Sequence, residues 1–282
     1  MAGSVTSQDW RPLRFYLITF VATWIPWVAG VIVASKPGLT GMGGLFNLVG
    51  LLAPMVVCLV MTFGGGSPAL KADFRDRFFG WDRIRARYLI PALLLPPAVM
   101  VLALGVSVAA GGSPDQFRLA DGGNLAVMVV VALILAPIIE ETGWRGYGVD
   151  SLTSRFGRLQ GTLLFGVIWS VWHAPLVLIP GTYQSDLAAM PNKLYLANFF
   201  VSVIPAAVIA NWFFYQNGRS ILAAVLLHST INASSVLPNA GQPAKCVVTL
   251  IYAAIAITLI AADRPFWSPP ATTATFGARR FP

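Results

Sequence analysis

Residues 123–143 read GNLAVMVVVALILAPIIEETG, and this stretch decides what kind of protein the chain is. From Leu125 to Ile139 it carries no charge. At about 1.5 Å per helical residue it is long enough to cross the roughly 30 Å hydrocarbon core of a bilayer. It then ends on two adjacent carboxylates, Glu140 and Glu141. An apolar span that closes on acidic residues predicts a membrane helix with chemistry at its end.

Seven further segments of comparable length and hydropathy flank it: 14–35, 44–64, 88–110, 160–180, 194–215, 219–237 and 245–262. Composition agrees, since only 11% of the 282 residues are charged and 56% are hydrophobic. A soluble domain carries about 25% charged residues, and a mean hydropathy of +0.71 is more than a water-soluble fold hides. The expected fold class is therefore all-α, a polytopic membrane bundle of about eight transmembrane helices. One transmembrane domain is expected over residues 1–263, followed by a disordered cytoplasmic tail at 264–282, which is Pro-, Thr- and Arg-containing. The apolar run from Phe15 to Ala34 is too long for a signal-peptide core and reads as the first span. Gln216-Asn217-Gly218 predicts a tight turn joining two antiparallel helices.

With an even number of spans, both termini share one side. That side receives 15 of the 19 Lys and Arg residues, among them Arg77, Arg145, Arg158 and Arg219. The other side receives Lys36, Arg118, Lys193 and Lys245. The excess places both termini in the cytoplasm of a multi-pass cell-membrane protein. The net charge of +8 is then explained by anionic lipid rather than by nucleic acid, which is not an expected partner. Residues 71–87, with Asp73, Asp76 and Asp82 among basic residues, read as a lipid-facing cytoplasmic loop or a substrate-docking patch. Cys58 and Cys246 lie far apart in apolar runs, with no spacing that suggests zinc or a disulfide framework.

The chain has only two glutamates and two histidines, and all four fall within or at the ends of the apolar segments. An acidic side chain at mid-membrane costs roughly 2.5 to 3.5 kcal/mol, so such placement marks a candidate functional site. Neighbours on a helix point about 100° apart, so Glu140 and Glu141 cannot face one spot. Glu141 and Arg145 stand i,i+4 in the favourable order for an ion pair, which leaves Glu140 to face a cavity. Trp169 and His173 share a second helical face, and Pro175 is expected to kink that helix by removing a hydrogen bond to the Val171 carbonyl. His228 and Asn232 share a third face. Taken singly each has a blander alternative: a helix-end ion pair, a satisfied core histidine and interhelical polar contacts. Together a carboxylate and an imidazole can activate water, and an imidazole with an amide can hold an oxyanion.

These motifs, Glu140-Glu141-x-x-x-Arg145, Trp169-x-x-x-His173 and His228-x-x-x-Asn232, resemble those of the CPBP family. That family groups the type II CAAX prenyl proteases with bacterial immunity and abortive-infection membrane proteins. Trp169 departs from it, since Phe is more usual there. The resemblance implies an intramembrane endopeptidase in which Glu140, helped by His173, activates water, while His228 and Asn232 form the oxyanion hole. Glu141, Arg145 and Trp169 are then supporting residues. It also implies a membrane-associated peptide or protein substrate, with lipidation left open. No cofactor is favoured, although Glu140, His173 and His228 are also a possible zinc set. A proton-coupled transporter, or a non-catalytic membrane scaffold or immunity protein, remains an alternative.

Counting along helices from the flanking arginines places Glu140 about 8 Å, His228 about 14 Å and His173 about 22 Å from the terminal side. For these to meet, the segment 145–160 must dip into the protein or the fifth helix must begin outside the bilayer.

Overall fold

The computed structural model describes residues 4–39, 42–120 and 129–268. Within them the chain is helical and no strand element forms. The order is α1 (Pro12–Ala34), α2 (Met42–Leu59, continued by a π turn at Val60–Gly64), α3 (Pro68–Phe79) and α4 (Ala86–Ala109). There follow α5 (Ala136–Gly143), α6 (Val149–Phe156), α7 (Arg158–Trp172) and α8 (Tyr183–Ala189). The chain closes with α9 (Leu194–Gln216), α10 (Ile221–Val236), α11 (Gln242–Ala262) and α12 (Arg264–Trp267).

Six helices among the described residues are long and apolar enough to cross a membrane, and Ile221–Val236 is a shorter apolar helix. The eighth expected span, 123–143, lies partly outside the described residues, which show it helical from Val129 onward. Beside a buried aromatic core (Trp10, Phe15, Trp144, Phe165), the chain exposes apolar residues and buries polar ones. Leu13, Leu94, Leu250 and Ile257 are exposed, while Thr23, Arg77, Arg145, Asp150 and Asn211 are fully buried. Lipid is as apolar as leucine, so polar groups and tight backbone contacts, rather than apolar side chains, must specify the interior. The hairpin at 216–218 forms as expected, α9 ending at Gln216 and α10 starting at Ile221.

Two expectations are corrected. The segment 71–87 is not a loop, because its first part is α3. Ser67 caps that helix by accepting from the Leu70 amide at 3.2 Å. Leu70, Phe74 and Arg77 recur at i, i+4 and i+7 and are buried, while Arg75 and Asp76 stay exposed. The alternating charges concealed this helical stripe. Arg264–Trp267, expected to belong to a disordered tail, forms a helical turn. Trp267 is buried and donates from Nε1 to the Leu259 carbonyl at 3.0 Å. Residues 269–282 lie outside the described part.

The docking of α3 depends on Asp73. Burial works to raise its carboxyl, but the Arg77 and Arg219 guanidiniums prevail and hold it down at about 2. Since an unfolded Asp ionises near ~3.9, this contributes about 2 kcal/mol of stability at neutral pH. That contribution is present above ~pH 4 and disappears as pH falls through ~2. The thermal midpoint in detergent is expected to drop steeply below ~pH 4. Asp73→Asn should lower the midpoint at neutral pH and remove that part of the acid sensitivity. An unchanged acid limb would refute it.

Candidate active site

Helix α5 delivers the carboxylates, the end of α7 delivers Trp169 and His173, and α10 delivers His228 and Asn232. The chain after Glu141 does not return to the surface. Residues 139–153 are buried without interruption, passing from α5 through a π turn (Trp144–Gly148) into α6. This is the first of the two arrangements the sequence left open, realised up to Thr153, after which Arg155 and Phe156 are exposed. Arg145 is therefore interior, as is Arg77, although both were counted toward the lipid-facing side.

The two glutamates face different partners, as helical geometry demands. Glu141 Oε1 accepts from Arg145 Nη1 at 2.9 Å and meets His228 Nδ1 at 2.8 Å. Arg145 also lies over the rings of Phe165 and Trp169, at 5.0 and 5.2 Å, so two π faces partly replace its lost water. Glu140 Oε2 accepts from the Trp169 indole Nε1–H at 3.0 Å.

Trp169 ties the site together. Its N–H holds Glu140, its carbonyl faces His173 Nδ1 at 2.7 Å, and its ring meets His228 edge-on at 5.5 Å. His173 is walled by Trp172 and Phe199, at 4.9 and 5.5 Å between ring centres. Pro175 does more than kink the helix. The α-helix ends at Trp172, with His173 as its capping residue, and Ala174–Leu178 continues as a 3-10 helix. Asn232 donates from Nδ2 to the Ala132 carbonyl at 2.7 Å. Ala132 belongs to a π-helical stretch, Val129–Leu135, so Asn232 joins the site through the segment leading to Glu140.

The hydrogen bonds assign the tautomers. A carbonyl only accepts, so His173 Nδ1 carries a proton and the neutral ring keeps its Nε2 lone pair. His228 Nδ1–H faces a carboxylate instead, and that partner can support an imidazolium, which donates from both nitrogens. Among the described residues no group of three His, Cys, Asp or Glu side chains is arranged to hold a metal ion.

A family model described as Type II CAAX prenyl endopeptidase Rce1-like matches residues 122–234, which contain Glu140, Glu141, Arg145, Trp169, His173, His228 and Asn232. CAAX prenyl protease 2 of Methanococcus maripaludis is 33% identical over 263 residues, covering 92% of this chain and 97% of that protein. The chain belongs to the Rce1-like CAAX prenyl endopeptidase family. As a member it is a multi-pass membrane endopeptidase, and the polar cluster inside its bundle is the natural place to look for the hydrolytic chemistry.

Sequence reading missed a second buried cluster in this family member. Arg77 contacts Asp73 at 2.8 Å and Asp150 at 3.3 Å, and Arg219 contacts Asp73 at 2.9 Å and Asp150 at 2.6 Å. Tyr215 adds its hydroxyl, donated to Asp150 Oδ1 at 3.0 Å. Only the position of Asp150 beside the Glu140 motif hinted at it.

Close packing fixes where α5 sits. A Cβ on Gly143 would lie 2.5 Å from the Pro54 carbonyl carbon and 2.6 Å from its Cβ on α2. Gly143→Ala must push the two helices apart, at a cost of about 1–3 kcal/mol. It is expected to lower both the thermal midpoint and turnover, since Glu140 and Glu141 lie within one turn. A variant with wild-type midpoint and activity would show that the contact is not limiting.

Proposed function

We propose that this protein cleaves a prenylated C-terminal Cys-aliphatic-aliphatic-X segment of a membrane-anchored protein, using a water activated by Glu140. The observation that carries this reading is the gathering of Glu140, His173 and His228 around the single side chain of Trp169. The names of the matching family and relative support the substrate class.

In the proposed mechanism Glu140 takes a proton from water, assisted by the His173 Nε2 lone pair, as the water oxygen attacks the scissile carbonyl. The resulting oxyanion accepts hydrogen bonds from His228 Nε2–H, with the imidazolium supported by Glu141, and from the second N–H of the Asn232 amide. Glu140 then returns the proton to the leaving amine and the C–N bond breaks. Trp169 keeps the Glu140 carboxylate oriented. The excess of basic residues on the terminal side supports cytoplasmic termini, a contact with anionic lipid there, and cleavage near the cytoplasmic side. Residues 1–263 would form the protease domain.

The reaction needs no metal in this proposal, because an amide such as Asn232 serves an oxyanion better than a cation. Dialysis of the purified protein against a chelator is expected to leave turnover unchanged. Loss of activity with recovery on added zinc would reverse that assignment. The function itself is tested with purified protein in liposomes and a farnesylated peptide ending in Cys-aliphatic-aliphatic-X. Release of a C-terminal fragment, read by mass spectrometry, is expected. An intact peptide accompanied by proton flux would favour a transporter, and an intact peptide without flux a scaffold.

A further inference from the structure

We infer that Arg77, on the surface helix α3, is a positioning residue for the hydrolytic site, acting through the backbone of the π turn that follows the two glutamates. This rests on the proposed role of the Glu140–His228 cluster. A π turn replaces i→i+4 bonding with i→i+5 and is frequently found at functional sites. In Trp144–Gly148 the fork of Arg77 takes two successive carbonyls, with Nη1 donating to Arg145 O at 2.6 Å and Nη2 to Gly146 O at 2.9 Å. Its Nε donates to Asp73 at 2.8 Å, so both outer arms and the inner N–H of the guanidinium are committed. A planar fork fits two adjacent carbonyls, whereas a lysine ammonium has no such geometry.

The approach is tight as well as polar. A Cβ at Gly146 would lie 2.9 Å from Phe74 Cε2 on α3, so α3 rests directly on the turn. Arg219 closes the arrangement by holding Asp73 and Asp150, and it adopts a left-handed backbone, φ +64°, to do so. A non-glycine residue keeps that conformation only when its surroundings over-determine it. The consequence runs in one direction. Arg77 fixes the backbone of Arg145, the Arg145 side chain fixes Glu141, and Glu141 fixes the His228 ring at 2.8 Å. Arg77 pairs with Asp73 and Asp150 but touches neither glutamate nor either imidazole, so it acts on them only through this chain.

The test is a double-mutant cycle between Arg77→Lys and Glu141→Gln, measured with the farnesylated peptide in liposomes. Arg77→Lys is expected to lower kcat about 10- to 100-fold, the range for partners that orient active-site groups, with KM changed by less than about threefold. Because both residues act on His228 through one path, the double variant should lose little more than the worse single one. Leu70→Ala loosens α3 without touching the fork and should keep kcat within about twofold at temperatures where it stays folded. Additive losses, an unchanged kcat in Arg77→Lys, or an equal kcat loss in Leu70→Ala would overturn the inference. Should Arg77→Lys not accumulate in membranes, Asp73→Asn, which weakens the Nε anchor together with the Arg219 pair, enters the same cycle, where additivity is again the refuting result. A wild-type protein that leaves the peptide uncut would instead refute the proposed function.

Discussion

Glu140→Gln is expected to lower turnover by about 10²- to 10⁴-fold, the range attributed to a positioned general base. The substitution is nearly isosteric. The amide oxygen can still accept the Trp169 N–H that now reaches Glu140 Oε2 at 3.0 Å, so the ring and its contacts with His173 and His228 should stay in place. An amide cannot take a proton from water at neutral pH, and nothing else on α5 can substitute. Glu141 points away and is bound to Arg145 and His228. The loss should therefore fall on kcat, with substrate affinity and thermal midpoint close to wild type. Comparing membrane proteomes from cells with and without this variant would also reveal cellular substrates, as fragments present only with the wild type. Full cleavage by Glu140→Gln would remove the residue from the mechanism.

His228→Ala should cost about 10²- to 10³-fold in kcat, as for loss of one oxyanion donor. Glu141→Gln should cost less, roughly 10- to 100-fold, because the ring remains but loses its charged orienting partner. The order of the two losses is informative. Were His228 only a packing residue against Trp169, its truncation would lower the thermal midpoint while leaving the turnover of folded protein intact. That result would sink the oxyanion assignment. Equal losses in His228→Ala and Glu141→Gln would mean that the imidazole works only when held by the carboxylate.

Much of this was legible in the sequence because a bilayer makes crude demands. Runs of about 20 apolar residues must span it, and a glutamate or histidine placed in such a run stands out. The i,i+4 logic that paired Glu141 with Arg145 holds in the structure, whereas Glu140, expected to face a cavity, is turned toward Trp169. What stayed hidden is what depends on backbone rather than side chains. The partner of Asn232 is the carbonyl of Ala132, in a π-helical stretch that composition cannot reveal. The partners of Arg77 are likewise carbonyls. In the string Asp73-Phe74-Arg75-Asp76-Arg77 the buried arginine looks no different from exposed Arg75. The helical turn at Arg264–Trp267 was missed because Asp263, Arg264 and Pro265 interrupt the apolar run and outweighed Phe266 and Trp267, which pack back against the bundle.

The uninterrupted interior position of residues 139–153 bears on how such a protein is made. With Glu140, Glu141, Arg145 and Asp150 so close together, this stretch cannot partition into lipid by itself at a tolerable cost. Its acidic groups are paired with Arg77 from the earlier α3, with Arg219 from the turn between α9 and α10, and with His228 from α10. Its burial with every acid paired is therefore complete only once the turn at Arg219 and α10 are in place. Proteolytic competence would accordingly be among the last properties the nascent chain acquires, which protects the membrane from a half-built hydrolase.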